Sequence, residues 1–90
     1  MVRQANEYNG IVTIVQRAHS FEVNCAYEVM THGGITGWRG SYSGAQPDEA
    51  QVGDAELRLA NGNAGQIMIT NVFGDTGDGW FIGNGDPPYR

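Results

Sequence analysis

The chain has 90 residues, 40% of them hydrophobic, with five arginines, no lysine, ten carboxylates and a net charge of −5. That length makes one domain, 1–90, with a thin core that takes only about 60–65% of the unfolded surface out of water. An acidic body without a basic stripe excludes nucleic-acid duplexes and anionic membrane surfaces as partners, and no apolar run is long enough to span a bilayer.

Residues 1–7 are polar and expected to be flexible. They lack the apolar stretch of a secretory signal, which favours the cytoplasm. Tyr8-Asn9-Gly10 signals a turn ahead of Ile11-Val12-Thr13-Ile14-Val15, a β-branched run with strong strand preference. Ala18-His19-Ser20 then closes a hairpin into Phe21-Glu22-Val23-Asn24-Cys25-Ala26-Tyr27-Glu28-Val29. Odd positions there are apolar and even positions mostly polar, so this strand has one buried and one wet face, and it runs to about Thr31. His32-Gly33-Gly34 forms the next turn. Ile35 to Tyr42 makes a third strand with Trp38 and Tyr42 on one face. Gly37 and Gly40 beside these aromatics point to a bend or bulge.

Ser43 to Asp54 is the longest connection. Within it, Pro47 to Val52 fits a single helical turn, with proline at its first position, acids in the first turn and Gly53 to end it. Ala55 to Ala60 is the fourth strand, with Leu57 and Leu59 inward and Glu56 and Arg58 outward. Asn61-Gly62-Asn63 is a hairpin turn, and Gln66 to Phe73 follows with Ile67 and Ile69 inward. After the glycine-rich loop Gly74 to Gly79, Trp80 to Gly83 is a sixth strand. The prolines of Asn84-Gly85-Asp86-Pro87-Pro88 stop pairing there. The fold class is all-β: a small antiparallel six-stranded sandwich or partly open barrel. Its expected core is Ile11, Ile14, Phe21, Val23, Cys25, Tyr27, Val29, Trp38, Leu57, Leu59, Ile67, Ile69 and Trp80. The Gly-Trp step recurs at Gly37-Trp38 and Gly79-Trp80, but the halves do not otherwise match, so it reads as barrel geometry rather than duplication.

No motif specifies a reaction. A lone Cys25 rules out an internal disulfide and multi-thiolate zinc, and its place on the apolar face makes it a buried hydrophobe before a reactive thiol. Asp75-Thr76-Gly77-Asp78-Gly79 lacks the alternating oxygen ligands and closing acid of a calcium loop, so it reads as an acidic turn. His19 and His32 stand at opposite ends of one strand, roughly 35–40 Å apart, and cannot share a metal. Glu22 and Glu28 are roughly 20 Å apart, too far for paired acid–base work. Glu28 and Arg39 can form an exposed ion pair across neighbouring strands. The missing lysines fit a GC-rich coding genome before selection against amine modification. No catalytic residue, metal or cofactor is expected.

Tyr8-Asn9-Gly10, Trp38-Arg39-Gly40, Gly74 through Trp80 and the closing Gly83-Asn84-Gly85-Asp86-Pro87-Pro88 carry a resemblance over most of the chain. The sequence resembles an uncharacterised actinobacterial β-domain family, found alone or at the C-terminal end of flavin monooxygenase-like proteins. The stretch His32-Gly33-Gly34-Ile35-Thr36-Gly37-Trp38 departs from that family's pattern, which places a histidine just before the Trp. The resemblance implies an accessory β domain and carries over no catalytic residue.

The expected function is a non-enzymatic interaction module of a bacterial or phage cytoplasm, with a protein partner. Trp38, Arg39, Tyr42, Trp80 and Phe81 are its candidate ligand or partner surface, with Tyr89 a further aromatic. The alternative is a small-ligand binder or enzyme with an aromatic pocket in a barrel mouth, oriented by Arg39. A symmetric homodimer through an edge strand, Ile11–Arg17 or Trp80–Gly83, would cover leftover strand edges. Replacing Tyr27 or Leu57 by alanine is expected to cost about 2–5 kcal/mol through cavity formation. Denaturant melts check this, and parental stability in both variants would place these side chains on the outer face.

Overall fold

The computed structural model describes residues 7–32 and 35–88; residues 1–6, 33–34 and 89–90, and with them the turn expected at Gly33-Gly34 and the aromatic Tyr89, lie outside these. Six strands follow one another: β1 (Glu7–Gln16), β2 (His19–His32), β3 (Ile35–Ser43), β4 (Gly53–Arg58), β5 (Ala64–Phe73) and β6 (Asp78–Asn84). Every pairing is antiparallel, and the order β1-β2-β3-β6-β5-β4 closes on itself. The protein is therefore all-β, as expected, and of the expected forms it takes the barrel, closed and built of two three-stranded meanders. Glu7, expected to be flexible, opens β1 opposite Glu28.

Closure covers the segments expected to serve as dimer edges. Thr13–Val15 pair with β4, and β6 pairs with β3 on one side and β5 on the other. Ladder hydrogen bonds that an edge would offer a partner are spent inside the barrel along these stretches.

Facing follows a period of two, and it corrects the expected core at two places. Val12 and Ile14 point inward, and Ile11 is 59% exposed. Positions 11 and 14 have opposite parity and cannot share a strand face. In β6 the inward residue is Phe81, while Trp80 is 56% exposed. Tyr42 belongs to the core as well, and Val29 is only partly buried against it. The remaining expected positions are buried, including Ile14, Leu57 and Ile69, which are fully enclosed. The two Gly-Trp steps are thus out of phase: Trp38 faces in and Trp80 faces out.

Inside, rings lie against glycines. A Cβ on Gly79 would coincide with the Tyr42 ring, and one on Gly83 with the Trp38 indole. A Cβ on Gly40, between Tyr27 and Phe81 in register, would instead meet the Ala26 carbonyl oxygen and the Tyr27 Cα and Cβ, so the bare glycine lets β3 approach the β2 backbone. Gly40 marks a close approach, since β3 keeps an unbroken register with both neighbours. The bulge sits in β5 instead, where the register with β6 shifts between Ile69 and Asn71. A row of aromatic contacts fills the upper core. Tyr8 stacks on Tyr27 at 5.3 Å, Tyr27 meets Trp38 edge-on at 5.2 Å, and Trp38 meets Phe81 edge-on at 6.0 Å.

Connecting segments pack at both ends of the barrel among the described residues. Residues 44–52 cross the lower end from β3 to β4, burying Ala50. Buried Gln16 holds this crossover. Its Nε2 donates to the carbonyls of Gln51 and Asp54 at 2.7 and 3.2 Å, and its Oε1 accepts from the Gln51 amide at 2.9 Å. The expected helical turn at Pro47 is a tight turn. The Glu49 amide donates to the Gln46 carbonyl at 3.1 Å, with Asp48 at φ 67°. Proline second and a positive φ third define a type II turn, so the proline serves a turn, not a helix start. At the upper end, Pro87 and Pro88 are buried, and Trp38 Nε1 donates to the Gly85 carbonyl at 3.0 Å.

Gly83→Ala is expected to cost about 1–3 kcal/mol, because the methyl must displace the Trp38 indole. Gly37 has no atom within 4 Å of where its Cβ would be, so Gly37→Ala should leave stability unchanged or slightly raised. Chemical denaturation of the pair checks the assignment; equal effects would contradict it.

Candidate functional site

The barrel wall separates the five residues expected to form one surface. Trp38, Tyr42 and Phe81 are buried inside, while Arg39 and Trp80 point out. Those three buried rings are part of the core rather than of one shared surface with Arg39 and Trp80. The outward pair instead belongs to a groove on the outer face of β1, β2, β3 and β6.

Antiparallel register builds this groove in two rows. One row runs Asn9, Ala26, Ser41, Trp80. The next runs Glu7, Glu28, Arg39, Ile82. Small side chains at Ala26 and Ser41 leave a depression of about 600 Å³, walled by Trp80, Ile82 and Arg39. A second depression of about 480 Å³ continues it past Asn24, Ser43 and Asp78, sharing Asn9, Ala26, Ser41 and Trp80. Arg39 Nε lies 3.9 Å from Glu28 Oε2, the expected cross-strand ion pair, with both groups solvated.

Trp80 is braced from one side. The Phe73 ring meets it edge-on at 5.6 Å. Phe73 is outward because of the β5 bulge. Ile69 faces in, Thr70 and Asn71 both face out, and the phase beyond them is reversed. Thr70 Oγ1 also donates to the Trp80 carbonyl at 3.3 Å, tying the bulge to the strand that carries the indole. Phe73, Trp80 and Ile82 are 43%, 56% and 48% exposed, a run of large apolar surface beside a polar groove.

Sequence reading found Arg39 and Trp80 but missed Ile82, Phe73 and the small residues of the groove floor. Trp80-Phe81-Ile82 is a run of three large side chains, which hides its own phase. The phase is carried by Gly79 and Gly83, two before and two after Phe81 on the crowded inner face.

Two groups beneath the groove titrate abnormally. Burial pushes the Cys25 thiol up to about 12. Burial, with the Asp78 carboxylate nearby, also raises the Tyr42 phenol above its usual value. The Tyr42 hydroxyl is enclosed and has no hydrogen-bond partner among the described residues. Neither group is a nucleophile near neutral pH. No three His, Cys, Asp or Glu side chains gather as a metal set among the described residues. His19 Nε2 and Glu49 Oε2 lie 3.6 Å apart at the lower end, far along β2 from the groove.

The geometry defines a small closed β-barrel with an aromatic groove on its outer wall. No family model, curated protein or solved structure matches the chain.

The Cys25 shift has a stability consequence. The folded state keeps the thiol proton that an unfolded chain loses near pH 9, so this contribution is complete below pH 9 and is lost as pH rises towards 12. Melting temperature should fall over that window, less steeply in Cys25→Ala. Native protein at pH 8 should resist thiol-labelling reagents until unfolded. Prompt stoichiometric labelling would contradict the burial.

Proposed function

We propose that the chain is a non-enzymatic interaction module that holds a protein partner against its outer groove. The observation that carries this reading is the outward, braced Trp80 beside Ile82 and Phe73. Aromatic side chains next to a charged rim are the usual anchors of protein interfaces. With this reading goes a cytoplasmic accessory domain of the actinobacterial kind, which a single buried, unbridged cysteine suits. A ligand pocket in the barrel mouth has less support, because its aromatic residues are core.

The test compares wild type with a Trp80→Ala/Ile82→Ser variant, both immobilised and exposed to actinobacterial lysate. A stoichiometric protein retained by the wild type and lost by the variant is the expected result. Equal retention by both, or no retained protein across several hosts, would overturn the reading. Both substitutions are on the outer face, so near-ultraviolet circular dichroism from the inner rings should be preserved.

A further inference from the structure

We propose that the groove takes an extended cationic polypeptide segment, with an Arg or Lys side chain laid on the Trp80 indole and held by the surrounding carboxylates. This rests on the interaction-module reading and names the chemistry of its partner.

Charge is the first ground. Glu7, Glu28 and Asp78 line the two depressions, and Arg39 is the single cation lining either, among the described residues. Glu7 also sits directly opposite Glu28 in the β1–β2 register. Like charges in that position repel, and one arginine 3.9 Å from Glu28 offsets only part of the repulsion. A bound guanidinium or ammonium would relieve the remainder. The net charge of −5 acts in the same direction at long range and would steer a basic segment inward.

The indole is the second ground. Phe73 packs against Trp80 edge-on and fixes it, while more than half of the side chain stays open to solvent. An open aromatic face flanked by carboxylates attracts cations twice, through the ring quadrupole and through the charges. The groove floor is the third. Ala26 and Ser41 are small enough for a main chain to lie close to the sheet. Asn9, Asn24 and Ser43 supply amide and hydroxyl groups that can pair with peptide bonds. A phosphate-bearing ligand would meet the wrong sign of charge. A neutral glycan could stack on the indole but would gain nothing from the surplus carboxylates.

The chain has two tryptophans, so a ¹H–¹⁵N spectrum shows two indole signals. Trp38 is buried and donates to Gly85, whereas Trp80 is exposed, so the signals report the core and the groove separately. Titration with a hexa-arginine peptide at low salt should shift the Trp80 indole and the amides of Ala26, Ser41 and Ile82, and leave the Trp38 indole in place. Affinity should fall several-fold at 0.3 M salt as charges are screened. Glu28→Gln should weaken binding at least threefold more than Glu22→Gln. Both remove one negative charge from the outer face of β2, but roughly 20 Å apart.

Equal weakening by the two variants, or shifts spread evenly over the acidic surface, would overturn the proposal. So would a Trp80 shift produced by maltotriose and not by the peptide, which would make the occupant a neutral glycan. A doubled mass in light scattering without peptide, reverting in Trp80→Ala, would make it a second copy of this chain. These last two outcomes overturn the cationic partner while keeping the groove as a binding face. Only the variant-dependent retention test above decides whether the groove binds a protein at all.

Discussion

Six strands enclose a space too narrow for large side chains on every inward position, and the placement of rings against bare backbone is what lets this barrel close. Tyr42 lies over Gly79 and Trp38 over Gly83. Each ring occupies volume where a neighbouring strand has no Cβ. The inner rows consequently set small residues beside the large rings. Gly10, Cys25, Tyr42 and Gly79 form one such row, and Tyr27, Gly40 and Phe81 belong to another. Interior filling of this kind is how small barrels reach core density without a cavity. It also fixes register. A slip of one residue would set a ring against a side chain and turn the rest of that strand inside out.

The fold was legible wherever alternation was unbroken. Phe21 to Val29 shows its phase at a glance, and its odd residues through Tyr27 are core. Leu57 and Leu59 were equally plain, because Arg58 separates them, and Gln66 and Thr70 on either side of Ile67-Met68-Ile69 set the phase of the isoleucines. Phase was lost where large side chains run together. Ile11-Val12-Thr13-Ile14-Val15 and Trp80-Phe81-Ile82 offer an apolar residue to either face, so size alone misassigned Ile11 and Trp80. Closure was not legible either, since it depends on which strands meet after the crossover. Nor was the role of Gln16, whose three hydrogen bonds reach residues 35 and 38 positions away. The groove was half visible: Arg39 and Trp80 stood out by type, while its floor is defined by side chains that are small.

The interior and the outer wall carry different kinds of residue. The Gln16-held connection lies at the lower end, the buried prolines lie at the upper end, and the aromatic core is buried between them. The outer face of β1, β2, β3 and β6 is different. Its rows hold alanine, serine and asparagine next to an indole and a charge cluster. That combination contributes little to folding, and a sheet rigidified from within is a firm base for side chains presented outward.

The extra residue in β5 can be shed without disturbing the face beside it. With the codon for Thr70 lost, Ile69 would face in, Asn71 out, Val72 in and Phe73 out, an unbroken alternation in the same register with β6. The barrel would keep its strand order and the Phe73–Trp80 contact, and would give up the hydrogen bond from Thr70 Oγ1 to the Trp80 carbonyl. A one-residue gap at that position in a descendant chain is therefore compatible with the same aromatic pair. A one-residue gap between Asn71 and Phe73 is not, because it would reverse the facing of one side of the strand against the other.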